Sequence, residues 1–296
     1  YYGGRRIDMA RNIVAHRLEW KPCKQIIISG SESVLYANRF LDMTYMLPFV
    51  PFFSIQTYIG ETDNSFLSGD IQYQPNDNIS IYGVLLVDDW SPPYTFQKDN
   101  NNKFGWQTGI TWNNIYLKED RFRLEYTWAD HRIYHHEVEI NDYYSWDYPV
   151  GFWAGPHAEE LYLDYNFTIW DNHFEIMFSD ARRGVFSDSL RKDHYNRPND
   201  ENPIYERFSE GTEEKQVILL SINRKIIDNL SLNVSYTYAY WKNAGFTVRC
   251  SDGEYPSGFS DSEWCSHPEE AVNPLLGDVL PDIIKHSLGV GFRYRY

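Results

Sequence analysis

The stretch Leu230-Ser231-Leu232-Asn233-Val234-Ser235-Tyr236-Thr237-Tyr238-Ala239-Tyr240 decides the fold. Every second residue is apolar or aromatic, and the residues between are small or polar. A period of two belongs to a β-strand with one face in an apolar medium and the other in water. The last residues of the chain repeat it: Leu288, Val290, Phe292, Tyr294 and Tyr296 alternate with Gly289, Gly291, Arg293 and Arg295. So do Phe122, Leu124, Tyr126 and Trp128 against Arg123, Glu125 and Thr127, and Leu67, Ile71 and Tyr73 against Ser68, Asp70 and Gln72. A soluble sandwich also alternates. Here, though, large rings gather at strand ends while the opposite face stays polar or charged, as in a barrel wall that faces lipid between two aromatic girdles.

The connections point the same way. About eleven strands are expected, near 8–20, 24–36, 65–75, 79–89, 103–115, 121–135, 158–170, 173–184, 214–226, 230–243 and 284–296. Short turns at Lys21-Pro22-Cys23, Asn76-Asp77-Asn78, Lys118-Glu119-Asp120, Trp170-Asp171-Asn172 and Asp228-Asn229 alternate with long loops near 37–64, 90–102, 136–157, 185–213 and 244–283. Outer-membrane barrels place short turns in the periplasm and long loops outside the cell. The expectation is therefore an all-β protein, a transmembrane antiparallel β-barrel of the outer-membrane type, occupying 1–296 as one domain. Single-chain bacterial barrels have an even strand number. An odd eleven leads to the expectation that further strands precede Tyr1.

Composition narrows the class. The chain has 296 residues, and Lys+Arg 27 against Asp+Glu 42 leave a net charge of −15, which argues against a nucleic-acid partner. Tyr 24 and Trp 10 outnumber Phe 17, an excess of rings that suit a boundary between apolar and wet surroundings. Mean hydropathy is −0.56, and no run approaches the eighteen apolar residues of a membrane helix. Of three cysteines, Cys250 and Cys265 lie in one polar stretch and are expected to form a disulfide outside the cytoplasm, which leaves Cys23 over.

Several segments go beyond barrel patterning. In chain order they are Ala15-His16-Arg17-Leu18-Glu19-Trp20, Ser29-Gly30-Ser31-Glu32-Ser33-Val34-Leu35-Tyr36, Asp63-Asn64-Ser65-Phe66-Leu67-Ser68-Gly69-Asp70, Tyr82-Gly83-Val84-Leu85-Leu86-Val87-Asp88-Asp89-Trp90 and Gly155-Pro156-His157-Ala158-Glu159-Glu160-Leu161-Tyr162-Leu163. Together, from about residue 10 to 170, they resemble the Wzi family of capsule-assembly outer-membrane proteins; the last third carries only the barrel pattern. The resemblance implies an eighteen-stranded barrel, of which about eleven strands are visible here. It also implies a surface lectin that binds acidic capsular polysaccharide and is not an enzyme. Outer-membrane lipid and other outer-membrane or capsule-export proteins are the further partners it implies.

The candidate polysaccharide-binding residues are Asp88, Asp89, Trp90, Tyr94, Tyr143, Trp146 and Trp153. Flat rings offer a platform for the apolar face of a sugar, and neighbouring carboxylates accept from its hydroxyls. The same rings serve equally to pack loops over the barrel mouth or to join the outer girdle. Asp88 and Asp89 end a rising strand, so one is expected to face the interior and the other the wall. Arg17, Glu19, Glu32, Asp70, Arg123 and Glu125 are expected to form a charged ladder inside the barrel, both signs being needed to pair buried charge. His131, His135, His136 and Glu137 suggest a metal site, but on a strand His131 and His135 would stand about 13 Å apart. No metal site is expected. No nucleophile elbow of the G-x-S-x-G kind is present. A chain with charge −15 repels an acidic polymer, so binding calls for a bridging divalent cation such as calcium, or for local basic pairs such as Arg182-Arg183 and Arg191-Lys192. A diffusion porin and a structural subunit of a larger outer-membrane complex are the competing readings.

Overall fold

Eleven long strands form one antiparallel sheet in which sequence neighbours are spatial neighbours throughout. They are β1 (Arg11–Cys23), β2 (Ile26–Ala37), β3 (Asn64–Asn76), β4 (Ile79–Asp89), β5 (Lys103–Asn113), β6 (Arg121–Ala129), β7 (Ala158–Ile169), β8 (Asn172–Gly184), β9 (Thr212–Ile227), β10 (Leu230–Lys242) and β11 (Ile283–Tyr294). The structure, a computed structural model, describes residues 11–37, 39–47, 50–60, 62–90, 92–95, 102–136, 139–145, 148–184, 207–208, 212–243, 249–250, 271–272 and 282–294. Among these residues the sheet ends at β1 and β11, which do not pair with one another. No described helix is long and apolar enough to cross a membrane.

The register assigns every side chain to a face. Arg17 lies opposite Ser31, Ser29 opposite Asp70, Asp70 opposite Val84 and Thr111 opposite Arg123. That face continues through Glu125, Tyr162, Ser179 and Val217, and it is predominantly polar. The other face carries Leu18, Ile28, Ile71, Leu85, Trp106, Leu124, Leu163, Phe178, Ile218, Tyr238 and Leu288. Rings mark both margins of the apolar face. Trp20, Tyr73, Trp112 and the stacked pair Phe167–Phe174 (5.0 Å) lie toward the short-turn end, and Trp106, Tyr126 and Trp128 toward the other. Beyond the second margin the face turns charged, where Arg182 meets Glu159 and Glu214 (both 3.9 Å) and Lys242 meets Glu214 (3.6 Å).

Turns of two residues join four strand pairs, β1–β2, β3–β4, β7–β8 and β9–β10, and the β5–β6 turn is longer and organised by Asp120. Its carboxylate accepts from the backbone N–H of Ile115 (2.6 Å), Tyr116 (3.0 Å) and Leu117 (3.0 Å) and from the Tyr165 hydroxyl (2.8 Å). Desolvation would raise the acid, yet these four donors hold it down to about 2.

The β6 strand stops six residues earlier than the alternation predicts. Asp130 makes the last ladder bond, its N–H to Phe104 O (2.9 Å), and its side chain then accepts from the N–H of Arg132 (2.9 Å), an Asx turn that bends the chain away. The described parts of the following loop, 130–136, 139–145 and 148–157, fold back over the polar face. Ile133 and Tyr134 are buried against Phe66 and Ala129 there. Five strands away, Arg11 donates to the carbonyls of Ile140 (3.2 Å) and Asp142 (3.1 Å), and Asn64 donates to Asn141 O (2.9 Å). This loop is a lid strapped across the interior side of β1 to β6.

The loop between β2 and β3 goes the other way. A short helix, α1 (Phe52–Ile59), packs Phe52 and Ile55 on Val34, Tyr36 and Tyr45. Val34 and Tyr36 belong to the apolar face, so α1 lies outside the wall. Glu32 shares that face: it stands opposite His16, not opposite Arg17. The expected interior ladder therefore loses Glu32, whose Oε2 instead accepts from the N–H of Phe52 (2.6 Å) and caps the helix.

Candidate functional site

The remaining ladder residues separate into two groups on the polar face. Arg17 grips Asp70 with both nitrogens (2.7 and 3.0 Å) and also reaches Ser29 (2.8 Å), while Glu19 meets Lys21 (3.3 Å) nearer the short turn. Arg123 pairs with Glu125 two residues along the same strand, and the Tyr82 hydroxyl also bonds Glu125. Tyr82 reaches it by lying across Gly109, where a Cβ would meet its ring at 2.5 Å. These contacts are internal to the wall.

A cavity of about 690 Å³ opens instead at the long-loop end, between α1, the upper parts of β3 and β4, and the lid. Its lining mixes rings (Phe53, Trp90), carboxylates (Asp88, Asp89), amides (Gln56, Asn64), Lys103 and the pair His135–His136. Sequence position brought only Asp88, Asp89 and Trp90 of this set into view as binding residues. Lys103, Gln56 and Asn64 come from three other segments, and only strand pairing collects them.

An irregularity between Val87 and Asp89 shapes the acidic corner: Val87 pairs with Phe104 and Asp89 with the next residue, Lys103, so Asp88 is the extra one. Both carboxylates consequently feel the Lys103 ammonium, which stands 3.8 Å from Asp89. Asp88 is held by the lid, accepting from the N–H of Tyr134 (2.8 Å). Asp89 and Trp90 stay exposed, with the Trp90 indole N–H donating to the Thr95 hydroxyl (2.9 Å). Tyr94 closes a 3-10 turn, Pro92–Tyr94, in the same short segment. On the lid side, Asp142 fixes the histidines: its carboxylate meets the His135 ring (3.0 Å) and accepts from the N–H of His136 (2.7 Å).

The other predicted rings lie elsewhere. Tyr143 packs on Phe66 (4.5 Å between centroids) and Tyr134 (5.9 Å), so it is part of the lid's own core. Trp153 sits over β7 to β9, donating to Glu160 (2.8 Å). Lys215 lies between its ring (5.7 Å) and that of Trp241 (4.7 Å). Trp241 escaped sequence reading although a signal existed: it breaks the even-numbered run Tyr236, Tyr238, Tyr240 and so points to the polar face. Arg182 and Arg183 are not a free basic patch, since Arg182 meets Glu159 and Glu214 and Arg183 meets Glu213. Trp146, Glu137, Arg191, Lys192 and Cys265 lie outside the described residues. Cys250 is placed only as part of a two-residue strand paired with Ala271–Val272, and Cys23 is exposed.

At the base of the lid is a histidine pair, His157 buried and His131 half-buried. His131 and His157 have ring centroids 5.9 Å apart, beside Asp130 and Arg132. Neither this pair nor any other described group of three or more His, Cys, Asp or Glu is arranged to hold a metal.

No protein-family model matches the chain, and no curated protein matches it. Among solved structures it is similar to Wzi of Escherichia coli, an outer-membrane protein involved in group 1 capsule assembly and described as a carbohydrate-binding β-barrel. The TM-score is 0.51 at 16% identity, over 77% of this chain and 47% of that one. The chain thus spans about half the length of the structure it matches. At such low identity the likeness carries the fold: an antiparallel transmembrane β-barrel of the outer-membrane type.

Proposed function

We propose that this chain forms a wall of an outer-membrane barrel whose long loops face outward and hold a surface polysaccharide without catalysing a reaction on it. The supporting observation is the loop-end cavity. An exposed indole stands beside exposed and half-buried carboxylates and amides, a lining suited to a polyhydroxylated ligand. The lid supports the same reading over a diffusion porin, because residues 130–157 are strapped to both β1–β3 and β6 across the interior. The arginines of the 182–183 pair are already matched by carboxylates, so an acidic glycan would be held through a shared calcium ion that the glycan's own carboxylates help to bind.

The test is a titration of the organism's purified surface polysaccharide into detergent-solubilised protein, with and without calcium. Saturable binding is expected, strengthened by calcium. Trp90→Ala should weaken it at least tenfold while heat-modifiable gel migration stays unchanged; Trp153→Ala, remote from the cavity, should weaken it less. An absence of binding in both buffers would overturn the proposal. Single-channel conductance on the same sample would then decide for the porin.

A further inference from the structure

The loop between β2 and β3 carries no charged residue from Met43 to Gly60, and it is one of the most apolar stretches of the chain. It does not bury that apolar character in the barrel. Phe52, Ile55 and Tyr45 face the wall, Phe53 lines the loop-end cavity, and Tyr58 is 91% exposed. Phe40 (97%), Met43, Met46 and Leu47 extend the exposed patch. Exposed apolar side chains gathered on one loop mark a surface that meets something apolar.

The wall beneath explains what the loop does. His16 and Glu32 are cross-strand partners on the face that otherwise carries Leu18, Trp20, Ile28 and Ile71. A histidine and a carboxylate side by side on a lipid-facing wall are costly. Here α1 roofs them: the Phe52 ring packs tilted against His16 (4.3 Å between centroids), and the Phe52 N–H donates to Glu32. Of the charges that flank the loop, Arg39 meets Asp63 (2.9 Å) and Asp42 (3.5 Å), and Tyr45 donates to Asp63 (2.6 Å). A polar spot on the outer wall is thereby replaced by an apolar one.

Height on the wall fits as well. Ile28 is the cross-strand partner of Trp20 in the short-turn girdle, and Tyr36, under the loop, is eight residues further along β2. That is about 26 Å along the strand, or roughly 20 Å after a strand tilt of about 40°. The apolar band of outer-membrane barrels is about 25 Å tall. The loop therefore sits at the opposite boundary of the band.

We propose that the β2–β3 loop, in its described residues 39–47 and 50–60, is a membrane-interface element, lying on the outside of the barrel with Tyr58 and the Met43–Leu47 turn sunk into the lipid boundary. The occupant of the exposed patch is lipid, because the patch continues the lipid-facing wall and lacks charge of its own.

The test replaces Cys23, Cys250 and Cys265 by Ser and places one nitroxide label at a time, by Tyr58→Cys or Met43→Cys. Labels at Leu220→Cys, on the apolar face of β9, and Asp228→Cys, in a short turn, serve as lipid and water references. The protein is reconstituted in phosphatidylcholine vesicles, and accessibility to oxygen is compared with accessibility to a water-soluble nickel chelate. Either loop label should favour oxygen as the Leu220 label does. Preference for the nickel chelate, as at Asp228, would place the loop in water and overturn the proposal. An immobile label closed to both reagents would overturn it too, by showing a protein neighbour on the patch.

Discussion

A Cβ built on Gly184 would stand 2.2 to 2.5 Å from three atoms of the His157 ring. The ring fills that space because His157 has φ +54°, its N–H bonds Asp130 O (3.0 Å), and its carbonyl accepts from the N–H of Gly184 (2.8 Å). It cannot step aside easily: it stacks on Phe208 at 4.9 Å, and Arg207 beside it bonds the carbonyls of Ala129 (2.8 Å) and Ala158 (2.9 Å). Gly184→Ala should therefore cost about 1–3 kcal/mol, the usual range for overpacking a filled site. Urea unfolding of the reconstituted protein measures it, and an unchanged midpoint would mean that the ring has room to yield. Individual residues were only partly legible in the sequence. Glu32 has the same parity as Ile28, Val34 and Tyr36, and that phase already assigned it to the apolar face. Its carboxylate looked like an interior charge because the helix that shelters it is remote in the pattern and too short to announce itself.

The lid is an element whose hold depends on pH. Burial holds the His131 imidazole down to about 4, against the pull of Asp130, with Arg132, His157 and Arg207 adding to the depression. The folded value is below the unfolded one of about 6.5, so the neutral ring stabilises the lid fully above pH 6.5. That contribution is lost as the pH falls from about 6.5 to about 4 and amounts to at most about 3 kcal/mol. Asp130 acts later: desolvation would raise it, but Arg132 holds it below the usual carboxylate range, so its share fades only below about pH 4. Amide hydrogen exchange across residues 130–157, corrected for intrinsic rates, should show protection falling between pH 7 and pH 4.5. Equal protection at both would remove the histidine from the lid's support. Sequence reading takes 121–135 as one strand on the alternation of Phe122, Leu124, Tyr126 and Trp128 with Arg123, Glu125 and Thr127. An Asx turn at Asp130 and the left-handed Tyr134 (φ +76°) are side-chain and backbone events that alternation does not register.

At the scale of the whole molecule the wall was the most legible part, since a period of two and strictly alternating connection lengths are properties of long segments. Its inside and outside can be tested with one pair of variants. Val234 stands between Ile222 and Val290 on the apolar face, so Val234→Arg should destabilise the protein in a lipid bilayer by about 2–4 kcal/mol. Asn233→Arg, one residue away on the polar face, should cost much less, and equal losses in urea titrations would show that the faces are misassigned. The cavity was less legible, because its members come from separate loops that only strand pairing gathers. The two free margins of the sheet carry a further consequence. Each neighbour is antiparallel, so β1 and β11, both odd in the series, run in the same direction. Bent round to meet, they would pair in parallel. A second copy inserted in the same orientation changes nothing, for its β11 would still approach β1 in parallel. Among the described residues, a wholly antiparallel circuit requires that whatever lies between β11 and β1 begin and end with a strand running opposite to both, and a same-orientation copy, whose first and last strands run their way, does not supply it.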